Sequence, residues 1–244
     1  MTALVRFFLA ELLKAKRTLA LWLCLAAPAA VGATLFVLLL GRRSSLDWLS
    51  VQSTGMFMWS FFMLPISVTA LAALMGQIEY GAGGWSYALI SPQRKVATFA
   101  AKVLVTLLLV ALMTTVALIL VPVAGTLADL LKAGDQITGR LVPANLGAQG
   151  VKIFAASLAL SVLQLWAALR FRSFVPALIL GVAGTFVTVV AHASKYALAI
   201  PWALPVNAIG VDEARGSLAV TVGLTAGLVA FVLMILDLSR KEFL

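Results

Sequence analysis

Residues 79–95 read EYGAGGWSYALISPQRK and separate two long apolar runs, 54–78 and 103–128. The first run carries no charge and stops abruptly at Glu79. The segment after it combines glycines, aromatic residues and a Ser91-Pro92 pair, and it ends in basic residues. Runs of this length are typical of membrane spans. We therefore predict two spans joined by a structured polar segment, 79–94, which is called the connector below.

The composition excludes a soluble globular domain. Hydrophobic residues make up 63% of the 244-residue chain, charged residues make up 11%, and the mean hydropathy is +1.09. Charged residues account for about a quarter of soluble domains. The length allows about six spans of roughly 20 residues and leaves no room for a soluble catalytic domain of about 100 residues. We predict an all-α, polytopic membrane protein with one domain over 1–244.

The basic residues lie beside the apolar runs. The net charge of +9 therefore favours anionic lipid headgroups over nucleic acid as a partner. The single cysteine, Cys24, lies inside an apolar run, which excludes an intramolecular disulfide or a cysteine metal site.

An amphipathic helix is predicted over 4–17. Its apolar face is predicted to carry Phe8, Leu9, Leu12 and Leu13, and Glu11, Lys14 and Arg17 lean to the polar face. Such a helix lies in the membrane interface. The charge-free run 19–40 follows. A cleaved signal peptide is the alternative, but the run extends beyond the roughly 7–15 apolar residues of a signal sequence. We favour an uncleaved first span.

The remaining apolar runs complete a six-span prediction. A loop over 129–152 precedes the shortest span, and an apolar loop containing two prolines and one tryptophan precedes the last. The predicted spans are about 19–40, 54–78, 103–128, 153–169, 173–194 and 217–236.

Lysine and arginine counts predict the orientation. With both termini on one side, that side holds eleven of these residues and the other side holds seven. Loops on the cytoplasmic side carry the excess of basic residues. We expect both termini and the connector to face the cytoplasm.

Several function classes are disfavoured because their motifs are absent. No glycine is followed directly by lysine, so the chain has no phosphate-binding loop of the Walker type. No predicted span carries a charged residue near its middle, as ion-coupled transporters usually do. His192 is the only histidine and has no obvious carboxylate partner. If the protein moves a substrate against a gradient, the energy comes from another subunit.

Two spans carry packing signals that have alternative explanations. Gly223 and Gly227 form a close-packing pattern, which serves either contacts within the subunit or a dimer interface. Span two is crowded with methionine and aromatic residues, which suit either an ordinary core with an aromatic belt or a wall that contacts apolar substrates. The candidate wall residues are Phe57, Trp59, Phe62 and Met63.

Three local patterns together resemble a known family. The first is the basic amphipathic stretch Glu11–Arg17, and the second is Glu79 and Gly83 followed by Ser91-Pro92, Arg94 and Lys102. The third is the apolar, proline-bearing loop 196–209. This combination resembles the permease subunits of small six-span ABC exporters with a separate ATPase, similar to drug, lantibiotic-immunity and bacitracin-type exporters.

The resemblance implies a bacterial cytoplasmic-membrane permease that works as a dimer of identical or homologous chains. A cytoplasmic ABC ATPase dimer would bind ATP and magnesium, whereas this chain would bind no cofactor directly. The connector would be the coupling helix, and the 196–209 loop would gate the outer side. The implied coupling residues are Glu79, Gly83, Trp85, Pro92 and Arg94, and the implied gate residues are Pro201, Trp202 and Pro205.

Two other hypotheses remain. The chain could be a membrane anchor or sensor subunit that transports nothing, and a neighbouring ATPase gene would discriminate against that reading. An intramembrane enzyme is the weakest, because no paired carboxylates, histidine cluster or Ser-Lys pair lies in the spans. An apolar pathway would favour amphipathic peptides, lipids or hydrophobic drugs as substrates.

Overall fold

The computed structural model describes residues 3–16, 18–81, 95–132, 137–171 and 173–240. In these ranges the regular structure is helical apart from one short parallel strand pair, β1 (Leu46–Asp47) with β2 (Ile137–Thr138). The helices are α1 Ala3–Lys16, α2 Leu19–Gly41, α3 Trp48–Met58, α4 Leu64–Gly81, α5 Lys95–Leu131, α6 Pro143–Ala156, α7 Leu158–Arg170, α8 Val175–Ala191, α9 Leu204–Asn207 and α10 Glu213–Arg240.

By length and composition, four described helical segments can cross a membrane: α2, the joined α3–α4 helix, α5 and α10. A fifth is possible if α6 and α7, which meet at a 40° bend, count as one span. The all-α, multi-pass prediction is thus confirmed in its coarse form. Helix α8 has 17 residues, or about 25 Å at 1.5 Å per residue, which is shorter than a typical 30 Å hydrocarbon core.

Two predicted boundaries are wrong for identifiable reasons. The helix that contains the second predicted span begins at Trp48 rather than near residue 54, because the Asp47 side chain accepts a hydrogen bond from the Ser50 N–H and caps the helix. The predicted loop 129–152 is helical from Pro143 onward. Proline suits a first helical turn, and Gly150 lets α6 approach Leu118 of α5 closely.

A π-helical turn, Trp59–Met63, joins α3 to α4 directly before Pro65. The Leu64 N–H reaches back to the Trp59 carbonyl, one residue further than in an α-helix. Proline lacks an N–H and crowds the preceding turn, so the wider turn lets the helix continue past it. Trp59 is fully buried at this point.

The core runs the length of the bundle. Helix α2 packs along α5, where Gly32 lies against Leu120. Helix α10 crosses the α6–α7 bend, and a Cβ added at Gly223 would lie only 2.5 Å from the Ala156 Cα. At Gly227 a Cβ would lie 3.0 Å from the Ala159 nitrogen. In this structure both glycines of the pattern serve a contact within one chain.

The helix ends collect at two faces of the bundle. At the first, which we call the Glu79 end, the Tyr80 hydroxyl donates to the Leu169 carbonyl at 2.6 Å and the Lys95 Nζ donates to the Ser239 carbonyl at 3.3 Å. At the second, the Arg215 end, the β1–β2 pair and a hydrogen bond from Lys132 to the Arg42 carbonyl join the loops.

Candidate functional sites

A buried ion cluster joins three helices at the Glu79 end. Lys102 Nζ, on α5, lies 2.6 Å from Glu79 Oε1 of α4 and 2.6 Å from Glu11 Oε2 of α1. Lys14 completes the cluster, at 2.9 Å from Glu11 and 3.0 Å from Glu79. The Lys102 and Glu79 side chains are each only 1% exposed. Two carboxylates and two ammonium groups balance, as buried charges require.

The cluster corrects the predicted orientation of α1. Glu11 was assigned to the polar face of the amphipathic helix, but it is 4% exposed and points into the bundle, whereas Leu9 and Leu13 are exposed. Lys102 on α5 explains the reversal. The charge-assisted hydrogen bond between its buried ammonium and the Glu11 carboxylate stabilises the fold more than a leucine side chain at the same position would. The signal in the sequence is Glu79 at the end of one apolar run and Lys102 directly before the next, and Glu11 gives no such signal.

Lys14 is the cluster's contact with solvent, with 41% of its side chain exposed. Burial works to lower the pKa of Lys14, but the hydrogen bond and charge of Glu11, together with those of Glu79, raise it above its ordinary value. A raised lysine pKa keeps the ammonium charged throughout the neutral range. Its contribution to stability is lost only as the pH rises beyond 10.5.

The connector itself lies largely outside the described residues. Gly83, Trp85, Pro92 and Arg94 belong to 82–94, so their predicted coupling role stays a prediction. Glu79 is described, and its carboxylate is turned inward to the ion cluster. The flanking helices α4 and α5 therefore meet at the connector through Glu79 and Lys102.

A re-entrant segment occupies the Arg215 end. After α8 the chain forms two 3-10 turns, Ala197–Ala199 and Pro201–Ala203, and then α9. Trp202 is 8% exposed and packs against Gly184 of α8, where an added Cβ would lie 2.3 Å from the indole ring. Pro205 is buried, while Pro201 is half-buried. The predicted gate residues thus lie in a segment packed into the bundle.

Arg215 fastens this segment to the start of α10. Its Nε donates to Asn207 Oδ1 at 2.8 Å, and its terminal nitrogen donates to the backbone carbonyls of His192 at 3.0 Å and Ser194 at 2.7 Å. Asn207 in turn donates to the Ala203 carbonyl at 2.8 Å. One guanidinium therefore holds both ends of the segment, and sequence reasoning did not find this role.

The predicted wall residues divide into two groups. Phe57 and Phe62 are 42% and 41% exposed, and Met63 is half-buried, but Trp59 is fully buried in the core. Phe57 stacks on Phe61 with a ring separation of 5.0 Å. Phe57 also lines a cavity of about 730 Å³ at the Arg215 end, together with apolar residues and the polar side chains of Gln149, His192, Asn207, Asp212 and Arg215.

A metal site is not suggested by the described part of the chain, where no three His, Cys, Asp or Glu residues are grouped to hold an ion. The titratable groups of both sites instead bond to one another or to the backbone.

The helical bundle, its ion cluster and its re-entrant segment define a multi-pass membrane component. The family model described as "ABC-2 family transporter protein" matches residues 7–188, more than half of the chain. The chain therefore belongs to the ABC-2 transporter family and is an ABC-type permease subunit. In this family the membrane domain is not the catalytic component and works with an ABC ATPase. No curated protein and no solved structure matches the chain significantly.

Proposed function

We propose that the chain is the membrane subunit of an ATP-driven exporter of apolar or amphipathic molecules. Two permease subunits, identical or homologous, pair with a separate cytoplasmic ATPase dimer that binds ATP and magnesium. The complex lies in the bacterial cytoplasmic membrane. The observation that carries the proposal is the buried cluster of Lys102, Glu79, Glu11 and Lys14 on both sides of the connector.

The cluster supports a mechanical role for the connector. Residues 82–94 connect α4 to α5 in the sequence. Helix α4 ends two residues after Glu79, and α5 begins seven residues before Lys102. A displacement of the connector by an ATPase would act on α4 and α5 at the point where one ammonium binds both. Because charges buried at 1% exposure are costly to separate, we expect the two helices and α1 to move together.

The distribution of the basic residues supports one orientation in the membrane. Five basic residues lie in the helix termini that meet at the Glu79 end: Lys14, Lys95, Lys102, Arg170 and Arg240. Counted along the sequence, the side with both termini holds eleven lysines and arginines and the other side holds seven, and an excess of these residues favours the cytoplasm. We therefore assign the Glu79 end and both termini to the cytoplasm, and the Arg215 end to the outside.

Six crossings are consistent with this orientation. The α6–α7 pair would cross as one bent span, and α8 would cross as a short span whose outer side is completed by the re-entrant segment 197–207. An even number of crossings returns the C-terminus to the side of the N-terminus.

The outer cavity favours amphipathic substrates. Its wall contains Phe57 and other apolar side chains together with polar groups that include Asp212 and Arg215. Phe57, near the end of α3, and Phe62, in the π-helical turn, are exposed, and Met63 is half-buried. Peptides, lipids and hydrophobic drugs have the matching division between apolar and polar parts.

Purification from the native host tests the proposal. We expect a tagged chain, extracted in mild detergent, to bring an ABC ATPase with it. Trp85→Ala and Arg94→Ala are expected to reduce both ATPase recovery and the stimulation of ATP hydrolysis by amphipathic peptides, whereas Arg43→Ala, at the opposite end, leaves both unchanged. A chain that folds and carries no ATPase would instead be an anchor or sensor subunit.

A further inference from the structure

A second cavity of about 730 Å³ opens at the Glu79 end between α7, α8 and α10. Its rim carries Arg170, Asp237 and Arg240, together with the aromatic rings of Trp166 and Phe171. Its deeper wall is apolar and is formed by Leu163, Ala167, Leu180, Leu233, Leu236 and Trp202. This cavity is distinct from the outer cavity beside Phe57, and Trp202 is the residue that it shares with the re-entrant segment.

The charges at the rim are arranged for an anion. Arg170 Nε lies 3.1 Å from Asp237 Oδ2, and the Trp166 indole N–H donates to the same oxygen at 2.9 Å. Asp237 thereby fixes the position of the Arg170 guanidinium. Arg240 lies one turn further along α10 and is exposed. Two guanidinium groups beside one carboxylate leave a net charge of +1, and guanidinium groups pair well with phosphate oxygens.

The apolar wall lies where an acyl chain would enter. Leu163 precedes Arg170 by seven residues on α7, and Leu233 precedes Arg240 by seven on α10. At 1.5 Å per residue, the cleft descends about 10 Å from the charged rim. Phe171, 47% exposed, stands at the boundary, as aromatic residues do at headgroup level. The ligand must therefore carry its negative charge and its apolar part on one molecule.

We propose that this cleft binds an anionic membrane phospholipid, with the phosphate between Arg170 and Arg240 and an acyl chain along Leu163, Leu180 and Leu233. Basic pockets between membrane helices bind such lipids on the cytoplasmic side. The inference uses the proposed function only to name the leaflet. The acyl chain contacts α8 and Trp202 from the side of the Glu79 end. Its binding therefore stabilises the packing of Trp202, and with it the re-entrant segment, against α8.

Native mass spectrometry of the detergent-purified chain tests the proposal without any ATPase. We expect phosphatidylglycerol to bind about tenfold more tightly than phosphatidylcholine of the same acyl chains, a difference of about 1.4 kcal/mol. The double variant Arg170→Gln/Arg240→Gln should lose the preference for phosphatidylglycerol. The matched control, Arg43→Gln/Arg140→Gln at the other end, should retain it. Equal binding of the two lipids, or equal loss in both double variants, overturns the proposal.

Two further variants and one control distinguish loss of binding from an effect on folding. Asp237→Asn keeps an acceptor for Trp166 but removes the competing negative charge, so phosphatidylglycerol binding should increase, and a decrease contradicts the proposal. Leu180→Trp fills the cleft and lowers the binding of both lipids, whereas Ile179→Trp, at the exposed neighbouring position, does not.

Excess inorganic phosphate should leave the lipid bound. If phosphate displaces it, the arginines form a site for free phosphate and the lipid proposal fails.

Discussion

Lys102 Nζ lies 2.6 Å from Glu79 Oε1 and 2.6 Å from Glu11 Oε2, so one ammonium group binds three helices at a single point. The sequence separations are 23 and 91 residues. Glu79 and Lys102 belong to the helices that flank residues 82–94 in the sequence, and the contact ties the amphipathic helix α1 to both. An interfacial helix of 14 residues is thereby built into the bundle rather than lying beside it.

Replacing this ammonium should destabilise the protein strongly. Lys102→Met leaves two buried carboxylates with only Lys14 to compensate them, and breaking a buried pair costs about 3–5 kcal/mol. We expect a large decrease in the thermal unfolding temperature of the purified chain. Lys14→Met, at a side chain that is 41% exposed, should cost about 1 kcal/mol or less.

A double-mutant cycle distinguishes pairing from a general packing effect. Glu79→Gln in the Lys102→Met background should cost less than in the wild-type chain, because contacting charges are not additive. Additive losses would show that Lys102 and Glu79 act independently, contrary to the geometry.

The crossing of α10 over the α6–α7 bend predicts a steric effect. A Cβ at Gly223 would lie 2.5 Å and 2.6 Å from the Cα and carbonyl oxygen of Ala156. Because these are backbone atoms, the helices must separate, at a cost of about 1–3 kcal/mol. We expect Gly223→Ala to lower the midpoint of thermal unfolding.

Gly147→Ala on α6 is the matched control, since a Cβ there meets nothing within 4 Å. It should be neutral or stabilising by up to about 1 kcal/mol, as alanine favours the helix. Similar destabilisation by both substitutions would contradict the close crossing seen at Ala156.

Helices formed by long apolar runs could be predicted from the sequence, whereas a helical segment without such a run, the beginning of α6, could not. Residues 19–40 and 217–236 lie inside α2 and α10 because long charge-free runs favour spanning helices. The beginning of α6 contains asparagine, glutamine and glycines and has no such run, so it was assigned to a loop. Its helix depends on contacts with α5 and α10, which sequence patterns do not reveal.

The candidate sites show the same division. Glu79 and the 196–209 segment were found because each interrupts or punctuates an apolar run. The Glu11–Lys102 pair and the bonds of Arg215 depend on distances across the folded chain. Charge in the sequence indicated that these residues need partners, but it did not specify which partners they have.

Tyr80 gives a test of the contact between α4 and α7. Its hydroxyl donates to the Leu169 carbonyl at 2.6 Å, and a hydrogen bond of this kind contributes about 0.5–1.5 kcal/mol. Tyr80→Phe should therefore lower thermal stability by that amount. Tyr196→Phe, at a side chain that is 67% exposed, should leave stability unchanged, and equal losses would show that the bond is not the cause.

Arg215 should control the opening of the re-entrant segment. Arg215→Gln removes donors to His192, Ser194 and Asn207, and hydrogen bonds from charged groups contribute about 1.5–3 kcal/mol. Amide exchange over residues 194–209 should become about 10–100-fold faster, because local opening sets the exchange rate of protected amides. Glu213→Gln, at the exposed position two residues earlier, is the control and should leave exchange unchanged. If the segment exchanges at the wild-type rate in Arg215→Gln, the packing of Trp202 on Gly184 alone holds it, and a gate would have to open at that contact.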